Sequence, residues 1–366
     1  MRFLKRERDT LDELLPGLDS ALCAVPLSEL ERPDNIGLKA FKTAGGPALL
    51  VPTEHAGLGA DPVQAMRVQR AVAARSPSLA IATTMHHFSI ASLVETSTQS
   101  LGFEWMLLEA VARDALLVAS GFAEGRTGQA ILAPTMRAEV RGDNVVLNGS
   151  KKPCSLSRSM DLLTASIALP TEDGTGEQMV VALVPKGTPG IEIRPFWNSP
   201  VLAGAESDEV VLHDVEIPLN LVVRSEIRPG QQLDDLQTSG FVWFELLMTA
   251  SYTGVASALV ERVLTDAKSA PGTRAELAVE LEAVMALVEG IAAKLGKGND
   301  GEQALAEALI CRYAAQDAIG RVVRRSVEAL GGMHYISSGD VAYLASASAA
   351  LAFHPPSRGR MAEPLC

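Results

Sequence analysis

The stretch R-G-D-N-V-V-L-N-G-S-K-K-P-C-S, Arg141 to Ser155, sets a Gly-Asp pair before a β-branched run and reads as a tight hairpin. Similar short runs surround it at Ala138–Val140, Leu162–Ala168, Gln178–Val184, Ile191–Ile193 and Glu209–Leu212, separated by Gly-Thr and Pro-Gly turn signals. Together with Asn144–Leu147 they predict a compact β-barrel or sandwich between about Val118 and Val223.

Outside this region the period of the apolar residues changes to that of a helix. Before it, Ala65–Ala74, Leu79–Val94 and Phe103–Leu117 suit helices, and V-P-T-E-H-A-G-L-G-A-D (Val51 to Asp61) reads as a loop. After it, Val242–Ala267, Arg274–Leu295 and Glu302–Leu330 suit a bundle, with Pro271-Gly272 and Gly296–Gly301 as turns. The predicted class is α+β: an N-terminal α-helical domain over 1–117, a middle β-domain over 118–223 and a C-terminal four-helix-type domain over 224–366.

Composition narrows the function classes. A chain of 366 residues, 47% of them hydrophobic, can bury a large core. Its formal net charge of -12 disfavours nucleic acid and anionic membrane surfaces. The four cysteines are far apart, with no zinc-like spacing, which predicts reduced thiols and no metal site. The N-terminus lacks the apolar core of a signal peptide, and no run approaches the roughly 18 apolar residues of a membrane helix. The expectation is a cytoplasmic protein with no nucleic-acid or membrane partner.

Four local runs, in order, resemble the acyl-CoA dehydrogenase superfamily: Val51–Asp61, Val145–Ser155, V-V-L-H-D-V-E-I-P (Val210 to Pro218) and E-A-L-G-G-M-H-Y (Glu328 to Tyr335). The resemblance covers about Asp12 to Pro356 and implies an FAD-dependent oxidoreductase. It places Phe122 and Ala123 along the flavin ring and Gly128 and Gln129 near the pyrophosphate. On the hairpin it puts Cys154 and Ser155 at the flavin, with the Ser155 hydroxyl directed to N5 or O4. It also places Glu328, Gly331 and Gly332 against the flavin of a neighbouring subunit, implying a homodimer or homotetramer, with a heteromer as the alternative. From the residues alone, the serines equally suit local backbone bonding, and the double glycine equally suits a helix C-cap. The family's Arg-x-x-Phe-Gly run is replaced by D-A-K-S-A-P-G-T-R (Asp266 to Arg274), which predicts FAD held weakly or exchanged as reduced flavin.

The resemblance also implies the reaction: α,β-dehydrogenation of an acyl thioester, CoA- or carrier-protein-linked, with hydride passing to flavin N5. That needs a carboxylate base, which the family supplies from one of two places. These correspond to Pro355 and Phe244, leaving Glu245 as a fallback base, about 100° round the helix from Phe244. A surface or subunit-contact role suits Glu245 as well. A related group of flavin-dependent monooxygenases instead holds a flavin hydroperoxide with histidine and serine. His87 of the His86-His87 pair, Ser155 or Ser157, and His354 match that pattern, although a core-edge pair and a helix C-terminal histidine are the plainer readings. A non-catalytic subunit of a heteromeric dehydrogenase is the third alternative.

Overall fold

The structure is a computed structural model and describes residues 3–99, 104–125, 134–171, 176–223, 235–295 and 301–359. Helices lead: α1 (Lys5–Leu14), α2 (Leu18–Cys23), α3 (Leu27–Leu30), α4 (Ile36–Thr43), α5 (Pro62–Arg75), α6 (Pro77–Gln99) and α7 (Glu104–Asp114). The loop expected at Val51–Asp61 ends where Asp61 caps α5. Its carboxylate accepts from Gln64 N at 2.8 Å, and Gln64 Oε1 accepts from Asp61 N at 2.9 Å.

The strands follow: β1 (Val118–Gly121), β2 (Ala138–Arg141), β3 (Asn144–Cys154), β4 (Leu162–Pro170), β5 (Glu177–Pro185), β6 (Ile191–Arg194), β7 (Asp208–Pro218) and β8 (Val222–Val223). They form two four-stranded sheets, ordered β1-β4-β5-β8 and β2-β3-β7-β6. Arg141 pairs with Asn144, so the hairpin turn is Gly142-Asp143. β3 continues well past Leu147, because the break at N-G-S is a register shift between Leu147 and Gly149 and not a strand end. Sequence patterning did not single out β1. All four of its residues are buried, so it lacks the alternation of a half-exposed strand, and it pairs in parallel with β4.

Helices return with α8 (Asp235–Thr265), α9 (Pro271–Ala292), α10 (Glu302–Ser337) and α11 (Gly339–Ser348). α8 packs against α5, α6, α9 and α10, which explains why it is apolar on every side. The Gly331-Gly332 turn is a kink within α10, where Gly331 takes φ 74° and ψ 171°. Among the described residues, no helix is long and apolar enough to cross a membrane.

Candidate active site

A cavity of about 360 Å³ opens between α6, α8, the ends of β1 and β3, and the segment after α11. Its walls are mostly apolar and include a cluster of rings, with Phe88 lying 6.0 Å from Phe122 and 5.7 Å from Phe244 between centroids. The polar groups are few. Ser155 and Ser207 share a hydrogen bond of 2.9 Å between hydroxyls, and Thr164 donates to Ala119 O at 3.0 Å. Among the described residues that line it, none is Asp, Glu, Lys or Arg.

Two strand ends bring the predicted wall together. Lys152 N donates to Ala123 O at 2.8 Å, and the buried Lys151 ammonium bonds Glu124 at 2.8 Å. This seats the segment after β1 against the end of β3, so Phe122, Ala123 and Ser155 share the cavity with His354. Burial lowers the Lys151 pKa, opposed by the Glu124 carboxylate.

His354 enters from the C-terminal segment. Its Nε2 lies 2.7 Å from the hydroxyl of the buried Tyr252, and its ring lies 4.8 Å from that of Phe353. Burial, reinforced by the Arg312 guanidinium, pushes its pKa down to about 3, so the imidazole is neutral at physiological pH.

Glu245 does not line the cavity. It is fully buried, and Arg312 Nη1 donates to its oxygens at 2.9 and 3.2 Å. The same guanidinium donates to the carbonyls of Pro355 at 3.0 Å, Pro356 at 3.3 Å, Leu351 at 3.1 Å and, more closely, His354. Burial pushes the Glu245 carboxyl up to about 7, with Arg312 opposing. The Phe244 and Pro355 side chains, one residue to either side of this network, do line the cavity.

Comparison with known proteins settles the family. Residues 119–215 match the acyl-CoA dehydrogenase middle domain. The chain is 47% identical over 361 residues to isobutylamine N-hydroxylase of Streptomyces viridifaciens, covering 98% of this chain and 95% of that one. The chain belongs to the acyl-CoA dehydrogenase superfamily. Solved superfamily folds align along nearly its whole length. FMN-bound TdsC from Paenibacillus sp. A11-2 gives a TM-score of 0.82 at 18% identity, covering 98% of this chain and 96% of that one. Nitrososynthase from Micromonospora carbonacea var. africana gives 0.83 at 17%, covering 99% and 96%.

As a member of this superfamily, the protein is a flavin-dependent oxidoreductase. The cavity fits that cofactor: a flat, largely apolar ring with a polar edge needs apolar walls, strand-end backbone and a hydroxyl, and the described residues offer all three without a carboxylate, lysine or arginine in the lining. The residues expected at the site are nevertheless dispersed. Cys154 is buried outside the cavity lining, its thiol pushed up to about 12 by burial. Ser157 donates to Glu206 O at 2.6 Å and stays out of the cavity. His87 is fully buried between Phe41 and His86, and neither ring nitrogen has a hydrogen-bond partner among the described residues. Its neighbour His86 is structural, with Nε2 3.0 Å from Pro47 O and Nδ1 accepting from Val118 N at 3.0 Å. Glu328, Gly331 and Gly332 lie near the end of α10 and do not line the cavity of their own chain. Gly128 and Gln129 lie outside the described residues. Sequence reading missed Ser207, Tyr252 and Arg312; only Tyr252 had a signal, standing two helical turns beyond Glu245.

Proposed function

We propose that the protein is a flavin-dependent monooxygenase that hydroxylates the nitrogen of a small primary amine. The observation that carries this reading is the character of the cavity at the two positions where acyl-CoA dehydrogenation needs a carboxylate. Phe244 and Pro355 line it there, Glu245 is turned into the Arg312 pair, and among the described residues the polar lining is a neutral histidine with six Ser and Thr residues. This argues against removal of an α-proton from an acyl thioester, and against CoA or a carrier protein as the substrate's handle. The relative that hydroxylates isobutylamine supports the amine reading, and the FMN in the TdsC structure supports FMN, exchanged as reduced flavin, over tightly held FAD.

When bound in its reduced form, the flavin supplies two electrons to dioxygen, so one oxygen atom enters the substrate and the other leaves as water. The residues of this chain bind and exclude. A lining that is apolar and, among the described residues, without a carboxylate disfavours an ammonium ion and admits the neutral amine, whose lone pair is the nucleophile the oxygen transfer requires. The rings of Phe88, Phe122 and Phe244 keep water from the reacting nitrogen, and His354 supplies a neutral imidazole beside it. The exposed Met333, Tyr335 and Ile336 beyond the α10 kink favour a homo-oligomer joined through that segment, where Glu328, Gly331 and Gly332 would meet a neighbour's flavin.

The test supplies reduced FMN in air with isobutylamine and follows the hydroxylamine by mass spectrometry. In parallel, the flavin-loaded protein meets acyl-CoA without oxygen. Oxygen-dependent addition of one oxygen atom to the amine is expected. Bleaching of the flavin by acyl-CoA, with no amine product, would return the protein to the dehydrogenases.

A further inference from the structure

We propose that Tyr252 is a positioning residue that locks His354 in the Nδ1–H tautomer, so that the tail histidine faces the cavity as a hydrogen-bond donor and not as a base. Tyr252 sits on α8, fully buried, and His354 Nε2 at 2.7 Å is the hydrogen-bond partner of its hydroxyl among the described residues. A buried phenol must place its proton. Were Nε2 protonated, it would donate to the phenol oxygen and leave the phenolic proton without an acceptor in the core. With the phenol donating, Nε2 is the acceptor, the neutral ring carries its proton on Nδ1, and no buried bond is lost.

The surroundings hold this arrangement. Burial pushes the Tyr252 phenol up and keeps it protonated, while burial and Arg312 keep the imidazole neutral. Arg312 grips the main chain on both sides of the ring through the carbonyls of Leu351, His354, Pro355 and Pro356, which fixes the backbone that carries the ring and leaves the Tyr252 hydroxyl to set the ring's orientation. Nδ1 has no hydrogen-bond partner among the described residues, and His354 lines the cavity. A donor there can hold an oxygen-bearing group at the substrate, whereas a base would be required for proton abstraction. The use to which the donor is put rests on the proposed amine hydroxylation; the tautomer does not.

The experiment uses the full-length protein labelled with ¹⁵N-histidine. Long-range proton–nitrogen correlation at pH 7.5 reads each ring tautomer, and His354→Asn identifies the His354 signals. The expected result is a pyrrole-type Nδ1 and a pyridine-type Nε2 in the wild type, with Tyr252→Phe moving the ring toward the Nε2–H form while the other histidine signals stay in place. An Nε2–H ring in the wild type, or an unchanged ring in Tyr252→Phe, overturns the proposal. If Tyr252→Phe does not fold, the wild-type tautomer alone decides. The same variant given reduced FMN and isobutylamine should release at least 5-fold more hydrogen peroxide per hydroxylamine formed, with KM for the amine nearly unchanged. A wild type that shows the Nδ1–H tautomer but hydroxylates no amine would sink the functional reading and leave the positioning role standing.

Discussion

Replacing Arg312 by Met tests what the buried network beneath the cavity does. The guanidinium is 1% exposed, pairs with a fully buried Glu245 and accounts for hydrogen bonds to four carbonyls of the tail. Breaking a buried ion pair by removing one partner costs about 3–5 kcal/mol, because Glu245, which burial already pushes up against the opposing Arg312, must then stay charged without compensation or take up a proton. Against a total stability of roughly 5–15 kcal/mol that is a large fraction. At about 2–4 °C per kcal/mol for a large chain, the melting temperature should fall by roughly 6–20 °C. Removing both charges, as Arg312→Met with Glu245→Met, abolishes the uncompensated carboxylate and should recover more than half of that loss. The assay is thermal melting followed by circular dichroism at pH 7.5 for the wild type, both single variants and the double variant. The reasoning is refuted if Arg312→Met melts within 2 °C of the wild type, or if the double variant loses the sum of the two single losses. Glu245→Gln adds a functional check. Because Glu245 does not line the cavity, the variant should keep at least half of the wild-type turnover at a temperature where it is folded.

Three further outcomes follow from particular residues. His86 is fully buried with its pKa pushed down to about 4 from 6.5. The unfolded chain therefore binds the extra proton between those values, and stability falls by up to about 3 kcal/mol as pH drops from 6.5 to 4, then levels off. Urea midpoints at pH 7.5, 5.5 and 4.0 should show a shallower decline in His86→Gln, and an identical decline would remove His86 from the account. At Gly254, an added Cβ would come within 2.3 Å of Arg70 O and 2.6 Å of Ala73 Cβ, so α8 and α5 touch through bare backbone. Gly254→Ala should lose about 1–3 kcal/mol through this overpacking, despite the gain of about 1 kcal/mol in helix propensity, and a melting temperature at or above wild type would contradict the close approach. Ser155→Ala removes half of the Ser155–Ser207 hydroxyl pair, and fluorescence titration with oxidised FMN should show affinity weakened about 5–10-fold, as for one lost hydrogen bond. Unchanged affinity would mean that this hydroxyl serves only the hairpin.

Phe122, Ala123 and Ser155 line the cavity, and it was the family resemblance, carried by short runs local in sequence, that pointed to them. Glu245 and His87 do not line it, and the sequence could not show which way they face, since each lies in a helix apolar on nearly every face, where periodicity carries no information about direction. The helix–strand–helix order was legible for the opposite reason: alternation and 3.6-residue spacing are local and survive in any half-buried segment.

By itself, the sequence determined the order of the elements, the Gly142-Asp143 hairpin and the absence of a carboxylate at positions 244 and 355, all properties of residues close together along the chain. Only the tertiary structure decided which side chains meet: Glu245 finds Arg312 67 residues away, and Tyr252 finds His354 102 residues away. Those pairings exist because α8 is buried on all sides, so whether a given side chain faces the cavity or the ion pair depends on which neighbour packs there and not on any local pattern.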